Sequence, residues 1–169
     1  MKNKVLLINI ADQVYQLGNV PVGNYISIKF DVGLPSVVNA QVPSGTGNLN
    51  KPDMWFTSTA QTNNYIFLNA SGKIDTTAAM NATDANMVPF VYKIGTNNRL
   101  VHVSMPNQNV SVQQGTMAYI HMEADYAKLF EGLDLKNNAN LSVATIGDNS
   151  SSVAIDIASR IAQIFKYEN

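Results

Sequence analysis

The sequence contains no cysteine, and this absence removes several classes of chemistry at once. Without a thiol, the chain forms no disulfide, no iron–sulfur cluster, no cysteine zinc site and no thiolate nucleophile. The absence does not decide the cellular compartment, because many exported bacterial proteins also lack cysteine. The fold must therefore be stabilised by burial of apolar side chains, without covalent cross-links.

Charged residues are also scarce, at 14% of the chain with a net charge of −1. Such a chain gives no electrostatic reason to bind nucleic acid or an anionic membrane. No apolar run approaches the roughly 20 residues that a membrane helix needs. We therefore expect neither a nucleic-acid partner nor a membrane span, and a polar surface built from Asn, Gln, Ser and Thr.

Length and hydrophobic content favour one folded domain over residues 1–169, since 46% of the residues are hydrophobic. The amino-terminal run Met1–Ile10 starts positive and continues apolar, as a signal peptide does. Asn9 and Asp12 interrupt the run, and no small-residue cleavage site follows in the usual place. We interpret residues 4–10 as a strand.

The clearest strand pattern covers Tyr25–Val32, where apolar and polar residues alternate with a period of two. A second alternating run, Leu100–Met105, places His102 outward and its apolar neighbours inward. Short strands separated by turn residues are typical of a two-layer fold. The sequence thus predicts an all-β fold, an antiparallel β-sandwich, with further strands at 4–10, 14–20, 65–68, 90–94, 110–112, 117–122 and 141–146.

Two helices interrupt the strands. Near residues 125–131, Asp125 can cap a short helix and Gly132 can end it. A C-terminal amphipathic helix is predicted near 152–166, with Ser151 or Ser152 as its cap. The segment 69–88 is predicted to be a hairpin with its connection, or to contain a short helix at 77–80. The apolar stripe of the C-terminal helix comprises Ala154, Ile157, Ala158, Ile161, Ile164 and Phe165.

A long polar loop spans residues 36–64 and is the first place to look for a ligand site, because long loops on a rigid scaffold are often functional. A surface crossover between two sheets explains such a loop equally well. The candidate ligand-binding residues are Trp55 within the loop and Asn39 and Tyr65 near its ends. Trp55 can also be an apolar anchor for the loop, since its large ring favours burial.

Catalytic motifs are missing from the sequence. The two histidines, His102 and His121, lie near Ser104 and Ser111 only in sequence, and no nucleophile elbow accompanies them. Phosphate loops and dinucleotide fingerprints are absent. Glu123 and Asp125 are the closest carboxylate pair for glycoside hydrolysis, but Asp125 is explained as a helix cap. We expect a protein that is not an enzyme.

Metal sites are weakly indicated. Asp and Asn cluster at Asp84-Ala-Asn86 and Gly147-Asp-Asn149, so calcium is conceivable, although neither cluster matches an EF-hand and turn chemistry explains both. Two histidines without cysteine could complete a copper or zinc site only with carboxylate or backbone ligands, and nothing in the spacing suggests it.

The order of motifs along nearly the whole chain resembles the MbnP-like domain family. The motifs are Val22-Gly-Asn-Tyr25, Ile28-Lys-Phe-Asp-Val-Gly-Leu-Pro35, Leu49-Asn-Lys-Pro-Asp-Met-Trp55, Tyr65-Ile-Phe-Leu68, Phe90-Val-Tyr-Lys-Ile-Gly95, Ile120-His-Met-Glu-Ala-Asp125 and Ile146-Gly-Asp-Asn149. That family includes periplasmic or surface copper-binding proteins of methane-oxidising bacteria and exported proteins of Bacteroidota. The resemblance implies an exported β-sandwich, located extracellularly, at the cell surface or in the periplasm.

The chain departs from the copper-binding members at two positions. Where the resemblance implies histidine ligands, this sequence has Ala40 and Lys93. A lysine ammonium repels a cation and has no free lone pair at neutral pH, so we expect the copper site to be lost. Copper binders also carry a tryptophan that is oxidised to a metal ligand, but the register around Trp55 is shifted, and that role is not assigned to it.

Relatives have one or more strands before the segment equivalent to residues 4–10. The chain can therefore be a processed or engineered form, or it can receive a strand from a neighbouring subunit at an open sheet edge, giving a homo-oligomer. The leading hypothesis is an exported, non-enzymatic protein for cell-surface binding or assembly, with no cofactor and an unknown surface ligand or protein partner. The alternatives are a copper- or calcium-binding protein, and a carbohydrate-binding module that uses Trp55 and the amide-rich loop.

Overall fold

A computed structural model describes residues 4–43, 47–57 and 62–168. Within these ranges the fold is mainly β, as predicted, and no helix is long and apolar enough to cross a membrane. Two α-helices are present, α1 at Ser36–Asn39 and α2 at Ser152–Arg160. The strands are β1 Gly23–Tyr25, β2 Lys29–Val32, β3 Ile66–Ile74, β4 Val88–Gly95, β5 Val101–Ser104, β6 Val110–Val112, β7 Met122–Ala124, β8 Ser142–Val143 and β9 Phe165–Tyr167.

The described strands form four small sheets, in the orders β3-β4-β8, β2-β5, β1-β6 and β7-β9. All pairs are antiparallel except β4 with β8, which are parallel. The longest ladder is the β3–β4 hairpin, whose register runs from Ile66 opposite Gly95 to Ile74 opposite Val88. The predicted hairpin is present, but its second strand begins only at Val88, so residues 75–87 are the connection, with a turn at 77–80.

The main core lies where α2 meets β4 and β8. Its buried side chains are Tyr92, Ile94, Leu129, Val143, Val153, Ala154, Ile157, Ala158, Ile161 and Ile164. Ala154, Ile157, Ala158, Ile161 and Ile164 come from the predicted apolar stripe. Burying each large aliphatic side chain contributes about 1.5–3 kcal/mol, which is what stabilises so short a helix. The cap is also as predicted, because Ser151 Oγ accepts a hydrogen bond of 3.3 Å from the amide of Ala154.

The C-terminal helix is shorter than the predicted 152–166. It ends at Arg160, continues as a 3₁₀ turn over Ile161–Gln163, and gives way to β9. The amide of Asp125 donates to the carbonyl of Ile164 at 2.8 Å, just before β9 pairs with β7. Sequence periodicity alone could not show this pairing, because an apolar residue such as Phe165 suits both a continued helix and a strand.

The short helix predicted near 125–131 is confirmed as a 3₁₀ helix over Tyr126–Phe130. Its cap is Asp125, whose carboxylate accepts from the amide of Ala127 at 3.1 Å. Gly132 follows with a φ of 73°, a left-handed conformation that glycine adopts without strain.

The predicted strand Tyr25–Val32 is broken into β1 and β2. The two pieces pair with different partners, β6 and β5, so the ladder is interrupted between them. At the break, the carbonyls of Ile26 and Ile28 accept from the amides of Gln108 and Met105 at 2.8 and 3.0 Å. Ile26, predicted to face inward, is 62% exposed as a result.

The strands predicted at 4–10 and 14–20 are wrong. Neither segment joins a ladder with any described residue, and the chain instead folds back on itself through Asn9 and Tyr15. The Tyr15 hydroxyl accepts from the Asn9 amide and donates to the Asn9 carbonyl, both at 2.7 Å. An apolar run specifies a strand only when a partner edge is available to pair with it.

Two further strand predictions have wrong bounds. The strand expected at 117–122 shares only Met122 with the observed β7, and the strand expected at 141–146 is confined to β8. The shortening at β8 has a local cause. The Asp148 carboxylate accepts from the amides of Ala144 and Thr145 at 3.0 and 2.9 Å and turns the chain away from the sheet.

Candidate functional site

The long loop is anchored by Trp55. Its backbone forms an isolated antiparallel bridge with Tyr65, and its indole Nε1 donates to the carbonyl of Leu49 at 3.2 Å. The ring packs against a small second core of Leu34, Tyr65 and Phe67. Tyr65 is only 3% exposed. Both aromatic residues therefore hold the loop to the sheet, which is the alternative explanation that the sequence offered for Trp55.

Asn39 is completely buried at the base of the same loop. Its Nδ2 donates to Asn97 Oδ1 at 2.8 Å, and its backbone carbonyl accepts from the amide of Asn63 at 2.8 Å. The structure thus brings Asn39, Trp55 and Tyr65 together at the base of the loop. The side chains of Asn39 and Tyr65 are almost inaccessible to solvent there. A ligand-binding role for these three residues stays a prediction.

Lys93 lies on the face of the β3–β4 hairpin that the loop covers. Its neighbours Tyr92 and Ile94 point into the core, so its own side chain is on the opposite face. Directly across the ladder is Asn69, whose Nδ2 donates to the carbonyl of Asp53 at 2.9 Å. The 3₁₀ turn at 52–54 is thereby fixed beside Lys93, which is half-buried.

A shallow depression of about 260 Å³ lies on another part of the surface. Its lining residues come from the segment before β6, the start of β6, the segment before β7 and the residue after β9. They are Gln108, Val110, Tyr119, Ile120, His121 and Glu168. None of these residues is among the ligand-binding residues predicted from the sequence. The signal was present, because Tyr119 and His121 are two residues apart and so face the same way in an extended chain.

The model of the MbnP family matches residues 1–147. The chain belongs to the MbnP family. No curated protein and no solved structure matches it. The family match covers the loop with Trp55, Lys93 on β4 and the lining residues of the depression up to His121.

At the two positions where the resemblance implies histidine ligands for copper, this MbnP-family chain has no metal donor. Ala40 offers an exposed methyl group, and Lys93 offers an ammonium without a lone pair. The histidines belong to different parts of the fold. His102 on β5 has its Nδ1 2.6 Å from an Asp31 carboxylate oxygen on β2, whereas His121 precedes β7. Among residues 4–43, 47–57 and 62–168, no three His, Asp or Glu side chains converge as a metal site would need.

The two loops considered for calcium use their oxygen atoms in local structure. Asp84 Oδ2 forms an ion pair with Lys73 Nζ at 2.7 Å. The Asp148 carboxylate accepts from the amides of Thr145 and Ala144, and these hydrogen bonds lower its pKa below 3.8. Such contacts explain the Asp and Asn clusters as turn chemistry.

Neither histidine is part of a nucleophilic pair in the described residues. His102 is exposed on β5, as predicted, and its bond to Asp31 orients the ring. Ser104 lies two residues along the same strand face, but no hydrogen bond joins the two side chains in the described part of the chain. Nucleophilic catalysis requires such a bond between the hydroxyl and its base.

Proposed function

We propose that this MbnP-family chain is an exported, non-enzymatic binding protein that works without the family's copper site. The observation that supports it is Lys93, whose ammonium stands on the hairpin face beneath the Trp55 loop where the resemblance implies a histidine ligand. Its amide-rich, charge-poor composition suits a protein that works outside the cytoplasm.

Lys93 acts against metal binding in two ways. A half-buried ammonium repels an incoming cation more strongly than an exposed one, because the local dielectric constant is lower than in water. No carboxylate lies within ion-pair distance of Lys93 among the described residues, so that charge is not compensated locally. A copper ion at this position would have to displace or deprotonate the lysine first.

The assembly part of the proposal rests on the amino-terminal arm, residues 4–22. The arm joins no β-ladder with any described residue. Its exposed apolar side chains are Val5, Ile8, Ile10, Val14, Leu17 and Val22. Beyond the Trp55–Tyr65 bridge that precedes it, strand β3 pairs on one side only, with β4, among the strands that the structure describes. An apolar arm and an open strand edge on the same chain are the two parts that strand addition between copies requires.

The assembly step is tested by size-exclusion chromatography with light scattering over a range of concentrations. We expect the protein to dimerise and Val14→Lys, on the arm, to remain monomeric. Val37→Lys, an equally exposed change on α1, is the control and should dimerise normally. A monomer at every concentration would remove assembly from the proposal.

The metal part is tested by thermal unfolding with Cu²⁺, with Ca²⁺ and with chelator. A ligand that binds only the folded state raises the midpoint, by about 2.7 kcal/mol of added stability at 100 times its dissociation constant. We expect the three midpoints to coincide. A rise with Cu²⁺ that chelator reverses would favour the metal-binding alternative, and a rise with Ca²⁺ would favour the calcium version.

A further inference from the structure

The depression beside β6 and β7 has walls that are fixed by backbone hydrogen bonds. The amide of Glu168 donates to the carbonyl of His121 at 3.2 Å, and the amide of Gln108 donates to the carbonyl of Ile26 at 2.8 Å. Val110, another lining residue, is paired with Tyr25 in the β1–β6 ladder. The polar side chains that border the depression are therefore held by the sheets, although the side chains themselves reach into solvent.

Tyr119 presents an aromatic ring at this depression. The residue is 64% exposed, whereas Tyr65 and Tyr92 are buried. Its ring centroid is 6.5 Å from that of His121, and the two planes are tilted by 38°. An exposed ring beside the apolar side chain of Ile120 is a flat surface that gains free energy when another apolar face covers it.

Three polar groups of different chemistry line the same depression as this ring. Gln108 supplies an amide, which both donates and accepts, His121 an imidazole and Glu168 a carboxylate, which accepts only. His121 Nδ1 lies 3.6 Å from Glu168 Oε2, so the pair is close enough to orient together but leaves donor and acceptor capacity for a ligand. The site carries one acidic group and no lysine or arginine in its lining.

We propose that this depression binds one ring of a neutral saccharide. A pyranose has an apolar C–H face that stacks on an aromatic ring and hydroxyl groups that each donate and accept, which matches Tyr119 with its amide, imidazole and carboxylate neighbours. A ligand pocket for a drug-sized molecule holds roughly 300–1,000 Å³, so a depression of about 260 Å³ suits a single ring of a longer glycan.

The acidic lining favours a neutral sugar over an anionic one, because Glu168 would repel a uronate or a sulfate. The polar groups also favour a glycan over a protein partner, since the core of a protein interface is depleted in Glu. This inference deepens the proposed binding function and rests on it, but it moves the carbohydrate site from Trp55 to Tyr119.

The test is a glycan array followed by calorimetry with neutral hexasaccharides of glucose, mannose, xylose and N-acetylglucosamine. We expect one of them to bind. Tyr119→Ala should weaken binding at least tenfold, which corresponds to about 1.4 kcal/mol. Glu168→Gln should weaken it less, because the amide still accepts a hydrogen bond. Tyr126→Ala, an exposed tyrosine outside the depression, is the matched control and should bind as the unaltered protein does.

Thermal unfolding of each variant shows that a loss of binding is not a loss of fold. The inference is overturned if no neutral glycan binds, or if Tyr119→Ala binds glycan with unchanged affinity. Metal content is measured on the same sample. Absence of glycan binding would overturn this inference, whereas bound metal would overturn the metal-free function.

Discussion

The side chain of Asn149 is bound to both backbone groups at the end of β4, with its Oδ1 2.8 Å from the Gly95 amide and its Nδ2 3.0 Å from the Lys93 carbonyl. The same Nδ2 also donates to the Thr145 carbonyl at 3.1 Å. Asn149 is buried, and its side chain makes the hydrogen bonds to β4 that the backbone of a neighbouring strand would otherwise make. The segment before α2 is thereby joined to the hairpin that carries Lys93.

Removing the side-chain amide of Asn149 should destabilise the folded protein. We expect Asn149→Ala to lower the free energy of unfolding by about 2–4 kcal/mol, because a buried amide or carbonyl left unpaired costs about 1–3 kcal/mol. Urea unfolding measures the change. Asn24→Ala, an exposed asparagine on β1, should change stability by less than about 0.5 kcal/mol. Equal effects at the two positions would show that the contact to β4 contributes little.

Two glycines with positive φ form a matched pair. A Cβ at Gly33 would lie 2.5 Å from the Phe67 ring in the second core, whereas a Cβ at Gly18 would meet nothing within 4 Å. We expect Gly18→Ala to cost about 1–2 kcal/mol from backbone strain alone. Gly33→Ala should cost about 1–3 kcal/mol more, since the ring must also move. Similar losses in urea unfolding would mean that the loop tolerates the displaced ring.

The loop at Asp148 should weaken in acid. Hydrogen bonds from Thr145 and Ala144 keep the pKa of this carboxyl in the folded protein below 3.8, its ordinary value. Its stabilising effect is therefore complete above that value and is lost as the pH falls through the folded pKa. The stability difference between the natural protein and Asp148→Asn should be largest near neutral pH and should close in acid. A difference independent of pH would contradict the assigned role of the carboxylate.

Substitutions at Trp55 and Tyr119 should have opposite effects, one on stability and the other on glycan binding. Trp55→Phe removes the bond to the Leu49 carbonyl and should cost about 1 kcal/mol of stability, with glycan affinity unchanged. Tyr119→Ala, at an exposed ring, should leave the urea midpoint nearly unchanged and weaken glycan binding. The opposite pattern would return the carbohydrate site to the Trp55 loop.

Much of the fold could be predicted because its signals are local. The apolar stripe of α2, the Asp125 and Ser151 caps and the outward His102 depend on residues a few positions apart. The mainly β fold also followed from short alternating segments. These features need no knowledge of which strand pairs with which.

The errors arise where the structure depends on pairing between segments that are far apart in the sequence. Residues 4–10 look like a strand but find no partner edge among the described residues, and Tyr25–Val32 is divided because its halves pair with β6 and β5. The local spacing of Tyr119 and His121 was readable, but the full lining of the depression could not be predicted for the same reason. It joins Gln108, Tyr119 and Glu168, which only the paired sheets bring together.

The copper content of the protein tests the central claim most directly. The protein is incubated with excess Cu²⁺ and with Cu⁺ under reducing conditions, dialysed against a weak chelator, and measured for metal and protein in the same sample. With Lys93 where the resemblance implies a ligand, we predict copper far below one ion per chain. One tightly held ion per chain, retained through dialysis, would contradict the account.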